Sequence, residues 1–275
     1  MPDLSTLLST AAAQLLLGLY ASGERLFAID EDRLGHLAKA EAQARGPSHI
    51  AILPLHGALA ARGSGSMETF RNRLSAAAAN PEIGAIVIDG DSPGGTVAGT
   101  AETGAAVKAA AQVKPVVALA DTLVASAAYW ICSQASQIWM TPSAEVGSIG
   151  VIGVHFDVSS LLETNGIKPT LIKAGKFKAE LTPFEPLTPE ARDNVQAQAD
   201  ASHADFIRAV AEGRKTSIAN VADNYGQGRV LGANRALDLG MVDRIGSMAD
   251  VLASLRTSTG TVRRRMARRT SLAFA

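Results

Sequence analysis

Two stretches, GAIVIDGDSPGG (84–95) and PVVALADTLVASAAYW (115–130), decide the fold of this chain. Each begins with a run of apolar side chains and leads through a turn towards a helix, the first of them over about 97–112. A strand that is apolar on both faces is buried on both faces, which is typical of a parallel sheet covered by helices. The pattern therefore predicts an α/β fold with a mainly parallel sheet.

Other segments continue this alternation on either side of the two stretches. Further apolar runs predict strands at 50–55, 137–140, 150–156 and 169–173. Helices are predicted at 67–79, 126–135, 157–165, 217–224, 232–239 and 247–255. A longer helix is predicted from Thr188 to about Gly213, because Thr188 suits the N-cap, Pro189 the first helical position and Glu190 the first turn.

The composition limits the classes of protein to which the chain can belong. With 275 residues, of which 47% are hydrophobic and 19% charged, it can bury a sizeable core. This excludes a disordered chain, a collagen and a coiled coil. The formal net charge is zero, from 26 basic and 26 acidic side chains. Six arginines and no acid lie from Arg256 onward, so the first 255 residues carry 20 basic and 26 acidic side chains, a net charge of −6.

Three regions are expected along the chain. They are an N-terminal helical extension over 1–46, one catalytic domain over 47–256, and a basic tail over 257–275 that has no packing pattern and is expected to be mobile. Residues 4–21 carry no charge, but polar side chains interrupt them and only Asp3 precedes them. We therefore interpret them as an amphipathic or buried helix rather than a membrane segment.

Three places carry residues suited to catalysis or binding, and each also has a plain structural interpretation. The turn Asp91–Gly95 offers backbone N–H groups to an anion, as an oxyanion hole or a phosphate nest does, or is simply a tight turn. Ser126 opens a helix, where an alkoxide is favoured, but a serine N-cap is common. Lys173, Lys176 and Lys178 are typical of a solvated loop, and a lysine becomes a general base only where burial lowers its pKa.

The histidines and the cysteine indicate no further catalytic group. The five histidines (His36, His49, His56, His155 and His203) form no triad by spacing, although His155 could pair with Ser126. The one cysteine, Cys132, excludes an intramolecular disulfide and fits a reducing compartment such as the cytoplasm. No paired-cysteine, HExxH or Walker pattern occurs, so no metal or nucleotide cofactor is expected.

Several motifs in one order resemble a known family, the signal peptide peptidase A family of serine proteases. They are DSPGG (91–95), ASAAYW (125–130), EVGSIGV (145–151), KAGKFKAELTPFEPLTPEAR (173–192) and GRVLGANRALDLGMVDRIG (228–246). Within that family, the SAAY variant, the phrase TPFEPLT and the absence of an expected anchor are most similar to the phage capsid-maturation, or prohead, proteases. The resemblance covers roughly 50–250.

The resemblance implies a fold and a mechanism. The fold would be the spiral of ββα units that the family shares with the Clp protease proteolytic subunit and the crotonases. The mechanism would use a Ser-Lys dyad. By motif, Ser126 would be the nucleophile and Lys178 the general base, with Lys173 and Lys176 as bystanders.

The resemblance also implies the supporting groups. The backbone of Gly94 and Gly95 would help to form the oxyanion hole with the N–H of Ala127, and Ser148 would orient the lysine. The departure is at Ala127 and Ala128, where cellular members usually carry glycines; the alanines narrow the space beside the nucleophile and put the substrate preference in doubt.

The implied partners are protein or peptide substrates, such as capsid, scaffold or portal proteins, and further copies of the chain in a homo-oligomer. The basic tail allows a weak contact with nucleic acid or an acidic scaffold. Alternatives remain open: a cellular peptide-degrading protease of the same family, a non-catalytic assembly protein that keeps the fold, and a crotonase-type acyl-CoA hydratase or isomerase. The lack of a suitable pair of carboxylates disfavours the last.

Overall fold

The structure is a computed structural model that describes residues 49–63 and 65–256. The N-terminal helical extension expected over 1–46 and the basic tail expected over 257–275 lie outside the described residues. Within the described ranges, no helix combines the length and the apolar character needed to cross a membrane.

A seven-stranded sheet forms the centre of the described chain. Its strands are β1 (His49–His56), β2 (Ile83–Ser92), β3 (Val116–Ala125), β4 (Gln137–Met140), β5 (Glu145–Gly147), β6 (Val230–Gly232) and β7 (Arg244–Ile245). The order is β1-β2-β3-β4-β7, and all of these neighbours are parallel. β5 continues beside the end of β3, also in parallel, and pairs with the antiparallel β6. The mainly parallel sheet is therefore confirmed.

Helices connect the strands. They are α1 (Met67–Ala79), α2 (Thr100–Val113), α3 (Ala127–Cys132), α4 (Ser159–Thr164), α5 (Pro189–Gly213), α6 (Ile218–Asn224), α7 (Ala233–Asp238) and α8 over 248–256. α5 begins where the sequence predicts. The Thr188 side chain accepts a hydrogen bond from the Ala191 N–H, and Pro189 suits the first helical position because it has no backbone N–H that would need an acceptor there.

The core lies on both faces of the central strands, as continuous apolar runs require. On one face, Val87 and Leu119 belong to a cluster that Trp139 and the apolar side of α8 complete. On the other face, Ile86, Ile88 and the helices α1 to α3 belong to the larger cluster. The alternation along β2 and β3 thus fills two separate cores.

Two predicted strands are wrong. Residues 150–156 and 169–173 belong to no strand, and no backbone N–H or C=O of 150–157 or 168–174 pairs with another backbone group among the described residues. Their apolar composition predicted a strand, but a strand also needs a neighbour, and the described chain supplies none. The three-residue strands β5 and β6 extend the sheet beside β3 instead, and they are too short to show a periodic pattern.

Candidate active site

Ser126 stands between β3 and α3 in a backbone conformation that L-residues rarely adopt. Its φ is 53° and its ψ is −127°, so it lies outside the helix as the N-cap residue. Its N–H donates to the Gly147 carbonyl at 2.8 Å, which ties the serine to the end of β5. Strain of this kind costs on the order of 1–3 kcal/mol and is concentrated at functional sites.

Gly94, in the turn after β2, packs directly against this serine. A Cβ added to Gly94 would lie 2.6 Å from the Ser126 Cβ and 3.0 Å from the Ala127 nitrogen. Its φ of 101° is also in the left-handed region. Only glycine therefore allows the turn to approach the nucleophile so closely.

Gly95 is fixed by a different contact. A Cβ there would lie 1.9 Å from the Leu59 carbonyl oxygen. Leu59 holds the turn on both sides, since its N–H donates to the Gly94 carbonyl at 2.8 Å and its own carbonyl accepts from the Thr96 N–H at 2.9 Å. The glycine pair therefore sits between the loop after β1 and the nucleophile.

The free N–H groups of the site belong to Gly95 and Ala127. The Gly94 N–H donates to the Ser92 Oγ at 3.1 Å, and this hydroxyl donates to the Gly57 carbonyl at 2.6 Å. Neither the Gly95 N–H nor the Ala127 N–H, which begins α3, has an acceptor among the described residues. Two unpaired donors beside a serine hydroxyl can stabilise a developing oxyanion.

Ser148 completes this side of the site. It follows β5 with a φ of 53°, and its N–H donates to the Arg229 carbonyl at 2.8 Å. Its side chain lines the same cavity as Ser126 and Gly95, a cavity of about 830 Å³. The structure therefore brings together Ser126, Ser148 and the residues of the predicted oxyanion hole.

The opposite wall of the cavity is a face of α5, which the sequence reasoning missed. Gln196, Asp200 and His203 line it at helical spacing, and the Gln196 amide donates to the Asp200 carboxylate at 2.8 Å. α5 is held there by Trp130 of α3, whose ring stacks on Phe206 at a centroid distance of 5.0 Å. The signal that could have found this wall is the recurrence of polar residues every three to four positions on a helix that also carries apolar ones.

Lys178 is not brought to the serine in this chain. It lies on the loop before α5 with an exposed side chain, and it is absent from the residues that line the Ser126 cavity. Lys173 and Lys176 are exposed as well. Lys176 is engaged elsewhere, because its Nζ contacts the Glu190 carboxylate at 3.1 Å and lies 4.4 Å from the centre of the Phe177 ring.

His155, His56 and Cys132 form no competing nucleophile–base pair with Ser126, whereas His203 lines the same cavity as the serine. His155 hydrogen-bonds the Thr182 carbonyl at 3.0 Å and lines a neighbouring cavity that Ser126 does not reach. His56 contacts the Asp89 carboxylate at 3.1 Å. Burial raises the pKa of the Cys132 thiol to about 12, so this side chain is a core residue. No group of three potential metal ligands occurs in the described part of the chain.

The comparisons with known proteins identify a peptidase family. The model of the family described as Peptidase family S49 matches residues 108–261. The chain is 31% identical over 215 residues to the capsid assembly protease C of Escherichia phage lambda, covering 75% of this chain and 48% of that protein. It is 29% identical over 218 residues to the head-tail preconnector protein GP5 of Enterobacteria phage P21, covering 76% of this chain and 43% of that protein.

Among solved structures, the fold is similar to that of a membrane-bound stomatin-specific protease, 1510-N, solved as a mutant in complex with a substrate peptide. The TM-score is 0.51 at 16% identity, over 75% of this chain and 80% of the other. With the parallel strands and their crossover helices, this likeness confirms the predicted fold class, a spiral of the Clp protease type. The chain spans about half the length of the curated relatives it matches.

Proposed function

The chain belongs to peptidase family S49, and we propose that it is a serine endopeptidase in which Ser126 is the nucleophile and Lys178 the general base. One observation carries the proposal. A strained serine, packed against a glycine turn, faces a cavity beside two backbone N–H groups that have no other acceptor among the described residues.

The proposed reaction starts with attack of the Ser126 Oγ on a peptide carbonyl carbon. Neutral Lys178 accepts the hydroxyl proton, and the N–H groups of Gly95 and Ala127 bind the oxyanion of the tetrahedral intermediate. One such donor contributes about 3 kcal/mol to the stability of the transition state. The protonated lysine then gives its proton to the leaving amine, and water hydrolyses the acyl-enzyme.

Ser148 and Lys178 differ in how the chain supports their proposed roles. Ser148 shares the cavity with Ser126, which suits a hydroxyl that orients the base. Lys178 is supported by its motif, but its side chain is exposed in the single chain. A lysine that acts as a base at neutral pH must be desolvated, so the active form needs a cover over the loop that carries it.

The proposed substrates are phage capsid or scaffold proteins, processed during prohead maturation in the host cytoplasm. Support comes from the two phage relatives, a capsid assembly protease and a head-tail preconnector protein. A cellular protease that degrades peptides is the alternative. Co-expression with the capsid components, followed by N-terminal sequencing of the products, separates the two, because only a maturation protease leaves defined new termini on them.

The catalytic residues are tested by substitution and labelling. We expect Ser126→Ala and Lys178→Ala each to reduce peptide hydrolysis at least about a thousandfold while circular dichroism is unchanged, since each removes one half of the dyad. Lys176→Ala is the matched control, two residues away on the same loop, and should retain activity. A serine-reactive phosphonate should label Ser126 in the native protein.

Two results would contradict the assignment. A Lys176→Ala variant that is inactive while Lys178→Ala is active would move the base to the other lysine. Failure of the phosphonate to label Ser126 in the assembled protein would favour the non-catalytic assembly protein instead.

A further inference from the structure

The strained backbone of Ser126 needs contacts on both sides to hold it in place. A residue keeps a sparsely populated conformation only where its surroundings fix it. The Gly147 carbonyl supplies one contact, because it accepts the Ser126 N–H at 2.8 Å. On the other side lies α3, which has six residues, and helices shorter than about 12 residues are marginal by themselves. The position of α3, and with it that of the serine, is therefore set by the side chains that α3 packs into the core.

Tyr129, three residues after the serine, connects α3 to a distant part of the chain. Its side chain is completely buried, and its hydroxyl donates to the Met241 carbonyl at 2.9 Å, 112 positions further along the sequence. Burial raises the pKa of Tyr129 well above its ordinary value, so the hydroxyl keeps its proton and remains a donor at neutral pH. A buried donor and a buried acceptor that satisfy each other hold their two elements in one relative position, because separating them leaves both groups unpaired.

Met241 joins this contact to the other side of the serine. Its carbonyl accepts the Tyr129 hydroxyl, and its side-chain methyl group lies 3.4 Å from the position that a Cβ on Gly147 would take. Gly147 is the residue whose carbonyl accepts the Ser126 N–H. One fully buried residue therefore contacts both the helix that follows the nucleophile and the strand end that binds the nucleophile's backbone.

The turn that carries Met241 is itself attached to the sheet and to α5. Arg214, which follows α5, donates to the Gly240 carbonyl at 3.1 and 3.2 Å. The Asp243 N–H donates to the Ile138 carbonyl of β4 at 2.7 Å. Because the turn is bound from both sides, its carbonyl is a fixed point to which the nucleophile helix can be tied.

We propose that Tyr129 is a positioning residue for the reaction: through the Met241 carbonyl it fixes α3, and thereby the Ser126 Oγ and the Ala127 N–H. The inference rests on the proposed function, because that function makes these two groups the attacking atom and an oxyanion donor. Tyr129 does not line the Ser126 cavity, so it acts through the serine and not on the substrate. A misplacement of about 1 Å can lower a rate on the order of a hundredfold, so a hydroxyl outside the cavity can control the reaction.

Removal of a single oxygen atom tests the proposal. We expect Tyr129→Phe to lower kcat for peptide hydrolysis at least about tenfold and to leave KM within about twofold, because the surface that binds substrate is unchanged. Labelling of Ser126 by the phosphonate needs the same geometry and should slow by a similar factor. Both rates are measured at a temperature at which the variant has the circular dichroism of the wild type, so a general loss of stability does not enter the comparison.

Tyr225→Phe is the matched control. Tyr225 is also buried, and its hydroxyl lies 3.8 Å from the position that a Cβ on Gly240 would take, beside the same turn. It follows α6, and its hydroxyl makes no hydrogen bond among the described residues. The control variant therefore loses the same atom from the same kind of residue, and its kcat should be unchanged.

Hydrogen exchange measures how firmly the serine is held without reference to activity. The Trp130 N–H donates to the Ser126 carbonyl at 3.1 Å, in the hydrogen bond that begins α3. In Tyr129→Phe this amide should exchange at least about tenfold faster, while the amides of β3 that pair with β2 keep their protection.

Three results would overturn the inference: a wild-type kcat in Tyr129→Phe, an equal loss of kcat in Tyr225→Phe, or an unchanged exchange rate of the Trp130 amide. A raised KM with unchanged kcat would also overturn it, because the tyrosine would then support substrate binding. The outcome is separable from the proposed chemistry. If Ser126→Ala retained activity, the proposed nucleophile would be wrong, while exchange of the Trp130 amide would still decide whether Tyr129 holds α3.

Discussion

Because Gly95 has no side chain, the turn beside the nucleophile can pack directly against the Leu59 backbone. We predict that Gly95→Ala abolishes activity and lowers the free energy of unfolding by about 3 kcal/mol, because the new methyl group has to displace the Leu59 carbonyl. Urea unfolding and kcat/KM measure the two effects. Gly232→Ala is the control, since a Cβ there meets nothing within 4 Å and its φ of −73° is ordinary. Equal stability of the two variants would contradict this packing.

Cys132 lies six positions after Ser126 and is expected to be chemically inert. Burial raises the pKa of its thiol to about 12, so the reactive thiolate is scarce at pH 8, and the side chain is inaccessible to a reagent in solution. We predict that iodoacetamide leaves the native protein unlabelled and active, and that it labels the cysteine once denaturant unfolds the chain. Mass spectrometry of both samples tests this; rapid native labelling with loss of activity would point to a cysteine nucleophile.

For single residues, the sequence predicts which residues form the site better than it predicts how they are arranged. The motifs select Ser126 and the glycine turn, and both meet at one cavity. They cannot tell that the Gly94 N–H is already used by Ser92, because that depends on the path of the turn. Asp200 and His203 do not stand out in the sequence, because they reach the cavity only through the packing of α5, far along the chain from the serine.

Helix α5 is fixed at its carboxyl end by an ion pair that sequence spacing does not reveal. Arg214, whose side chain is only 7% exposed, makes two hydrogen bonds to the Asp243 carboxylate, at 2.7 and 3.0 Å, and others to the Gly240 carbonyl. Asp243 also accepts the Ile138 N–H at 2.7 Å. The pair therefore joins α5 to β4 and to the turn before β7.

We predict that Arg214→Ala lowers the free energy of unfolding by about 3 kcal/mol, because it leaves a partly buried carboxylate without its cation. Arg208→Ala removes an ion pair with Asp205 in which both side chains are more than half exposed, and should change stability by less than about 0.5 kcal/mol. Thermal or urea unfolding compares the two variants. Similar losses of stability in the two variants would show that the Arg214–Asp243 pair contributes no more than a surface ion pair.

The cavity-lining face of α5 leads to a prediction about substrate preference. Asp200 is the one Asp, Glu, Lys or Arg among the described residues that line the Ser126 cavity. It should favour a substrate with Lys or Arg near the scissile bond. In a peptide series that differs at that position, Asp200→Asn should lower kcat/KM for the basic peptide several-fold and leave the neutral one unchanged.

Asp193→Asn is the control for this prediction, because Asp193 lies on the same helix but does not line the cavity. Equal loss for basic and neutral peptides would mean that Asp200 supports the helix rather than selecting the substrate.

Elements with continuous apolar runs could be located from the sequence, and isolated short ones could not. β2 and β3 are predictable because their side chains fill two cores, and α5 because its cap and first turn are explicit. The strands predicted at 150–156 and 169–173 were wrong because an apolar composition indicates that a segment tends to be buried. It does not indicate whether the same chain supplies a neighbouring strand.

For the whole molecule, zero net charge hides an acidic body and an arginine tail. The motifs end before the tail, so its expected contact with nucleic acid or an acidic scaffold depends on charge alone. Such a contact should weaken steeply with salt. Binding of the protein to nucleic acid, measured at low and high salt, tests this; binding that does not change with salt would mean that charge is not its cause.

The unpaired backbone of 150–157 and 168–174 should be visible in the dynamics of the chain. The amides of these stretches have no backbone acceptor within the described chain, so they should exchange with deuterated water as fast as a loop. The amides of β3, which pair with β2, should exchange far more slowly. Hydrogen exchange followed by mass spectrometry compares the two regions. Slow exchange of 150–157 and 168–174 would mean that these stretches pair with a backbone outside the described residues, because apolar composition alone does not protect an amide.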